Sequence, residues 1–322
     1  VMVNRLWARL FGQGLVDPVD DWCFTSPSHP ELLAWLAEEL VISGYDAQHV
    51  QRIILNSHAY QRAVDGETAG YVKASERLFA GPVRRRMTAE QLVDSLFVAA
   101  GKPVEAEILS MDPEGRRPAD TFLNLGSPRR AWEFTSLSNE RDRPALALPV
   151  AQSVTDVLLA YGWRDSRPSP LTSREEIPTS LQAVTLGNGL LSRRVARLSD
   201  DHQLLVPALE AETPEAFLEA VFLATLSRPP RAEERERFTA LLIEGFGERV
   251  REAPPVKPVA ETRNAVSWSN HLSAEATRIK LELERAVRMG DSPTQRLAAD
   301  WRERAEDAVW ALVASPEFVF LP

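Results

Sequence analysis

Cysteine is nearly missing from the 322-residue chain, and Cys23 alone cannot form an internal disulfide, complete a CxxCH haem-attachment site or build a cysteine-based zinc cluster. Histidine is scarce too: His29, His49, His58, His202 and His271 include no pair at the i, i+4 spacing of a helical metal site and no HExxH. No GxSxG, Walker A or GxGxxG occurs, and Gly187-Asn188-Gly189 is too short a glycine pattern to cradle a phosphate. Basic residues are in deficit, 37 Lys plus Arg against 46 Asp plus Glu, and the resulting −9 excludes the usual electrostatic footprint of a nucleic-acid binder. Long apolar runs are lacking, so neither a signal peptide nor a membrane-spanning helix is expected within these residues. Period-two alternation and repeats of solenoid length are also wanting.

What is present is helical punctuation. Met2, Val3, Leu6, Trp7 and Leu10 recur at spacings of three and four and stop at Gly12 and Gly14, which predicts an amphipathic helix. Ser28, with Glu31 three residues on, reads as a capping box for a helix from about Pro30 to Ser43 that Gly44 ends. Asp46 caps the next helix, with Val50, Ile53, Ile54 and Tyr60 on its buried side, and the short turn between the two predicts an antiparallel pair. Thr88-Ala89-Glu90-Gln91 opens a helix that runs to Gly101; Val150 to Tyr161 reads as another. Pro178-Thr179-Ser180 starts a helix that Gly187 and Gly189 kink or divide, Thr213-Pro214-Glu215 starts one that Pro229 and Pro230 stop, and Arg231 to Glu244 follows. Two apolar stripes, Leu272 to Val287 and Leu297 to Leu312, are separated by Gly290-Asp291 and a capping box at Ser292 to Gln295, which predicts a long helical hairpin. The expected class is therefore mainly α: one multi-helix domain over residues 1–322 with helical hairpins, long irregular central loops over about 101–178 and a surface insertion at about 245–270.

The centre differs from its flanks in charge. Between Gly81 and Arg174 there are thirteen basic residues against twelve acids, and all but Lys102 are arginine, the side chain suited to bidentate recognition of carboxylate, phosphate or sulfate. Two readings stay open: an ion-pair network that fixes irregular loops, or an oxyanion or anionic-sugar pocket lined by Arg141, Arg164 and Asp165. Asp17, Asp20 and Asp21 share a loop with Trp22, which fits either turn capping or a glycosidase-like pair of carboxylates beside an aromatic ring. Cys23, among Trp22, Phe24 and Thr25, is expected as a small buried residue.

Several ordered motifs resemble a known family. Asn4-Arg5-Leu6-Trp7 with Leu10-Phe11-Gly12-Gln13-Gly14-Leu15-Val16, then Pro27-Ser28-His29-Pro30-Glu31-Leu32-Leu33, is similar to the NRxWxxxFGxGLV…PSxPELL signature of DUF1553, the PSD1 domain of planctomycetes and their relatives. The likeness continues through Ile53 to Ser57 with Tyr60-Gln61, Arg85 to Glu90, and Arg174, Pro178-Thr179, Gln182-Ala183 and Asn188. Ala224 to Pro230 and Ala314 to Phe318 look like its last two landmarks.

That resemblance implies a context. Such domains form the C-terminal part of exported proteins of the periplasm or cell surface, behind a cytochrome-c-like segment and a DUF1549 domain, in neighbourhoods that handle complex or sulfated polysaccharide. Haem is then expected only in the separate N-terminal domain, and no cofactor or metal in this chain. The function it implies is a scaffold, interaction or ligand-binding module; the alternative is a polysaccharide-active enzyme with an arginine- and aspartate-lined cleft, in which Asp20 would be a further candidate acid. The candidate ligand residues are Asn4, Arg5, Trp7, Arg141, Arg164, Asp165, Arg174, Gln182 and Asn188. Their convergence on one open cavity would mark a ligand site, and burial in mutual hydrogen bonds a scaffold.

Overall fold

Start and stop residues act largely where their spacing predicts them. A computed structural model of the chain describes residues 1–62, 78–79, 81, 85–104, 106, 128–137, 148–163, 179–256, 266 and 271–321. Among these residues are thirteen α-helices and one pair of two-residue strands, so the chain is mainly α. They run α1 (Met2–Phe11), α2 (Pro30–Ile42), α3 (Ala47–Leu55), β1 (Arg85–Arg86), α4 (Ala89–Ala100), α5 (Pro149–Ala160), α6 (Ser180–Asn188), α7 (Leu190–Ala196), α8 (Leu205–Glu210), α9 (Pro214–Leu226), α10 (Ala232–Leu242), α11 (Ala274–Met289), α12 (Ala299–Val313), α13 (Pro316–Val319) and β2 (Phe320–Leu321). The residues gather into two compact units, Val1–Arg86 with Phe320–Pro322, and Met87–Val319.

In the first unit α1, α2 and α3 pack on one another, and β1 pairs antiparallel with β2, Arg85 opposite Leu321. The core forms because Val3, Leu6, Trp7 and Phe11 share one face of α1 and meet Leu36, Leu40, Val50 and Ile54. Trp7 stacks on Phe11 at 4.3 Å, and Phe79 meets both rings edge-on. The α2–α3 turn uses Gly44 and Tyr45 in left-handed conformation, at φ 71° and 66°, and the Asp46 carboxylate accepts the amides of Gln48 and His49. Ser28 departs from its expected capping role. Its hydroxyl donates to the Leu15 carbonyl at 3.1 Å, and His29 is the N-cap residue, because a partner brought by tertiary folding outcompetes the local amide.

The second unit is layered around α4, α7, α9 and α12. Helix α4 packs on α5 and α7, α5 on α6 and α11, and α12 on α7, α9 and α10. Phe97, Phe134, Phe217, Phe222 and Trp301 are fully buried there, with Trp301 5.3 Å from Phe217. The predicted terminal hairpin resolves differently: α11 lies on α5 while α12 lies on α7, α9 and α10. The cause is the 290–298 connection, which holds no capping box; the Thr294 amide donates to the Leu198 carbonyl, its hydroxyl to Asp200, and Leu297 bridges to Val250. Within the stretch expected as a surface insertion, Phe246 and Arg249 are buried; the rest of that stretch beyond residue 256 lies outside the described residues apart from the buried Val266.

Gly189 divides α6 from α7. A Cβ there would lie 2.1 Å from the Thr185 carbonyl oxygen, whereas one at Gly187, inside α6, would meet nothing within 4 Å. Gly189→Ala is therefore expected to destabilise the chain by about 1–3 kcal/mol and Gly187→Ala to stabilise it by up to about 1 kcal/mol, opposite shifts that paired thermal melts would read.

Candidate functional site

The Asn4-Arg5-x-Trp7 motif separates into three jobs. Asn4 is fully buried; its Nδ2 donates to the Val16 carbonyl at 2.9 Å and its Oδ1 accepts the Val16 amide at 3.0 Å, so the side chain pairs with the loop as a neighbouring strand would. Gly14 is required beside it, since a Cβ would stand 2.9 Å from Asn4 Oδ1 and 2.3 Å from the Val16 oxygen. Trp7 belongs to the core. Arg5 is exposed and donates to Asp20 at 2.8 Å.

The acidic loop is tied in the same way. Asp17 accepts from Gln13 at 2.7 Å, Asp20 from Arg5, and Asp21 from the amides of Cys23 and Phe24. The three carboxylates thus brace the turn that Trp22 also closes by donating to the Val19 carbonyl. Cys23 is exposed, a correction to its expected burial: the Asp21 turn directs residues 22–24 outward.

Gln182 is buried, donates to the Ala160 carbonyl at 3.1 Å, and forms a capping box with Thr179. Asn188 is exposed at the end of α6. Arg141, Arg164, Asp165 and Arg174 lie outside the described residues.

The most concentrated polar chemistry lies where sequence spacing gives no hint. Lys102 follows Gly101, whose left-handed φ of 66° ends α4, and its buried Nζ donates to the carbonyls of Arg194 and Arg197 at 3.1 and 3.0 Å and to Asp291 at 2.8 Å. Burial draws its ammonium below the usual lysine range, opposed by the Asp291 carboxylate. Beside it, buried His202 pairs Nε2 with the Val195 carbonyl at 2.9 Å and accepts the Leu204 amide on Nδ1 at 3.0 Å, which fixes a neutral ring with its proton on Nε2. Burial, and then the Lys102 charge, pushes its pKa down to about 4. Asp201 is held below its ordinary range: burial works the other way, but the Ser199 hydroxyl and the Lys102 ammonium outweigh it. Each of these groups is aimed at backbone or at its neighbour.

Arg228 joins the last two sequence landmarks. Its guanidinium grips Glu234 with two bonds of 2.7 Å and Glu317 with bonds of 2.6 and 2.7 Å, tying the end of α9 to α10 and α13. Those bonds hold Glu234 down to about 2 and Glu317 below its usual range.

Two cavities in the second unit differ in kind. A pocket of about 10 Å³, room for one water, lies among Leu190, Arg193, Arg197 and Arg288, and an open groove of about 530 Å³ is bordered by Val256, Thr294, Leu297 and Arg302. Neither is lined by Lys102 or His202. Among the described residues there is no group of three His, Cys, Asp or Glu placed to hold a metal ion, and no helix long and apolar enough to cross a membrane.

A sequence model of PSD1, described as a protein of unknown function (DUF1553), matches residues 1–242. No curated protein and no solved structure matches the chain.

Two measurements check these assignments. Asn4→Leu strands the buried Val16 amide and carbonyl and is expected to cost about 2–4 kcal/mol in urea unfolding, while Arg5→Ala, losing one exposed ion pair, should stay within about 0.5 kcal/mol. Folded His202 takes its proton near pH 4 and the unfolded residue near 6.5, so the unfolded chain binds the extra proton between those values. Stability is then complete above pH 6.5 and falls by about 3 kcal/mol from this residue as pH drops to 4; a His202→Gln chain should show a correspondingly shallower pH dependence in the same unfolding series.

Proposed function

The chain belongs to the PSD1 (DUF1553) family, and from that premise we propose that it is a non-catalytic helical interaction module, the scaffold part of an exported polypeptide whose haem-bearing and DUF1549-like domains it holds in place. One observation carries this reading. Three polar side chains of the ordered motifs bind their own chain: Asn4 the Val16 backbone, Gln182 the Ala160 carbonyl, Arg228 both Glu234 and Glu317. A catalytic centre keeps its reactive groups turned toward a space where substrate can sit; these side chains are turned toward partners in their own chain, as a rigid mount requires.

The polysaccharide-active alternative rests on Arg141, Arg164 and Asp165 and makes a different demand. Mixed with the haem-bearing and DUF1549-like portion of the parent polypeptide made as a separate piece, the chain is expected to form a 1:1 complex with Kd on the order of micromolar in titration calorimetry. Turnover of neutral or sulfated glycans by the isolated chain, or no heat of binding at about 100 times that concentration, would overturn the scaffold reading.

A further inference from the structure

Helix α2 carries apolar side chains on two opposite sides. Leu36 and Leu40 face the core of the first unit, whereas Trp35 (46% exposed), Val41 (56%), Ile42 (72%) and, just past the helix, Tyr45 (73%) face solvent. Glu31, Trp35, Glu38 and Ile42 follow one another at spacings of four, three and four, which places them on one stripe of the helix, with Val41 at its edge and Tyr45 exposed just past its end. Among the described residues, the core of the first unit takes in Leu36 and Leu40 and none of the outer stripe. Apolar residues scattered singly over a surface need no account, but Trp35, Val41 and Ile42 lie within two turns of one helix, with Tyr45 just past it, and expose an area on the order of a few hundred Å².

Charge says what would cover it. Residues 30–46 contain Glu31, Glu38, Glu39 and Asp46 and no Lys or Arg. Asp46 is spent as the cap of α3 and Glu39 meets His49 at 3.2 Å. Glu31 and Glu38 are exposed within the stripe itself, and neither is in an ion pair among the described residues. A second copy of this chain fits poorly: two α2 helices packed antiparallel about the centre of the stripe would set Glu38 against its own copy.

We propose that the outer face of α2 is the docking surface for an amphipathic helix of a partner domain, a helix whose apolar ridge is flanked by Lys or Arg. The ridge would lie against Trp35 and over Ile42, and its basic flanks would pair with Glu31 and Glu38 as those carboxylates lose water. This assignment rests on the scaffold reading above and names the surface that reading needs.

Two synthetic 18-residue helices that share one leucine ridge, flanked by Lys in the first and by Glu in the second, test it by fluorescence anisotropy against the whole chain. The Lys-flanked peptide is expected to bind at least tenfold more tightly. Ile42→Glu should weaken it at least tenfold even though it adds a negative charge, and Glu31→Lys with Glu38→Lys should reverse the preference between the peptides. All three positions are exposed, so circular dichroism should find each variant folded. Equal capture of the Lys-flanked peptide by the chain and by Ile42→Glu, or no preference between peptides, overturns the proposal; so does a dimer in sedimentation that Ile42→Glu dissociates, which would assign the face to a second copy. If the complex with the haem-bearing piece forms but these preferences are missing, the surface is wrong and the scaffold reading stands; if the preferences hold and that complex does not form, the scaffold reading fails.

Discussion

A helix ends with carbonyls that have no partner inside it, and a fold made of short helices has many such ends. In the second unit these ends are answered from far along the chain. Lys102 Nζ closes the Arg194 and Arg197 carbonyls and His202 the Val195 carbonyl at the end of α7, while Gln203 returns to the Val98 carbonyl at the end of α4. Gln182 serves Ala160 of α5, Trp310 serves Gly187 of α6, and Trp301 serves Leu242 of α10. Arg249, buried against the Phe246 ring at 3.7 Å, covers three carbonyls at the end of α8. Each bond contributes about 1 kcal/mol net, but a carbonyl left buried and unmet would cost about 1–3 kcal/mol, so the closures decide which helix arrangement is permitted.

This constraint explains which parts of the structure could be read in advance. Asp46, Thr88, Thr179 and Thr213 sit beside the amides they cap, Gly101 and Gly189 act on the backbone where they stand, and those helix starts and breaks follow from the sequence alone. Ser28 looks like the same kind of cap but is claimed by Leu15, and within the box expected at Ser292 to Gln295 Thr294 is claimed by Leu198 and Asp200, partners that only the folded chain supplies. Lys102, His202, Arg249 and Trp310 carry no local signal at all, because what they bind is a carbonyl, present at every residue and marked by no side chain. The candidate residues show the same division: the importance of Asn4 and Gln182 is legible, but whether such a residue faces a ligand or a helix end is settled by orientation, which spacing does not encode.

The helical surface left over reflects how fully the interior is engaged. Arginine, chosen at the sequence level for its fit to anions, is used at Arg228 to grip two carboxylates of the same chain and at Arg249 to grip backbone. Guanidinium suits both tasks for one reason, its several fixed donors. On the outer side of α2, by contrast, apolar rings and carboxylates stand in water with no internal task, and that contrast is what separates a surface for others from a surface for self.

The closures also set a timetable for synthesis. Lys102 and Asp291 are 189 residues apart, and Gly187 and Trp310 are 123 apart. At about 5–20 residues per second, a ribosome needs roughly 10–40 s to pass from Lys102 to Asp291. During that interval α5 through α11 have been made, yet the carbonyls and charges that residues 291–317 will later satisfy are still open. The second unit therefore cannot complete these closures until the last stretch of chain, from Asp291 to Glu317, is available.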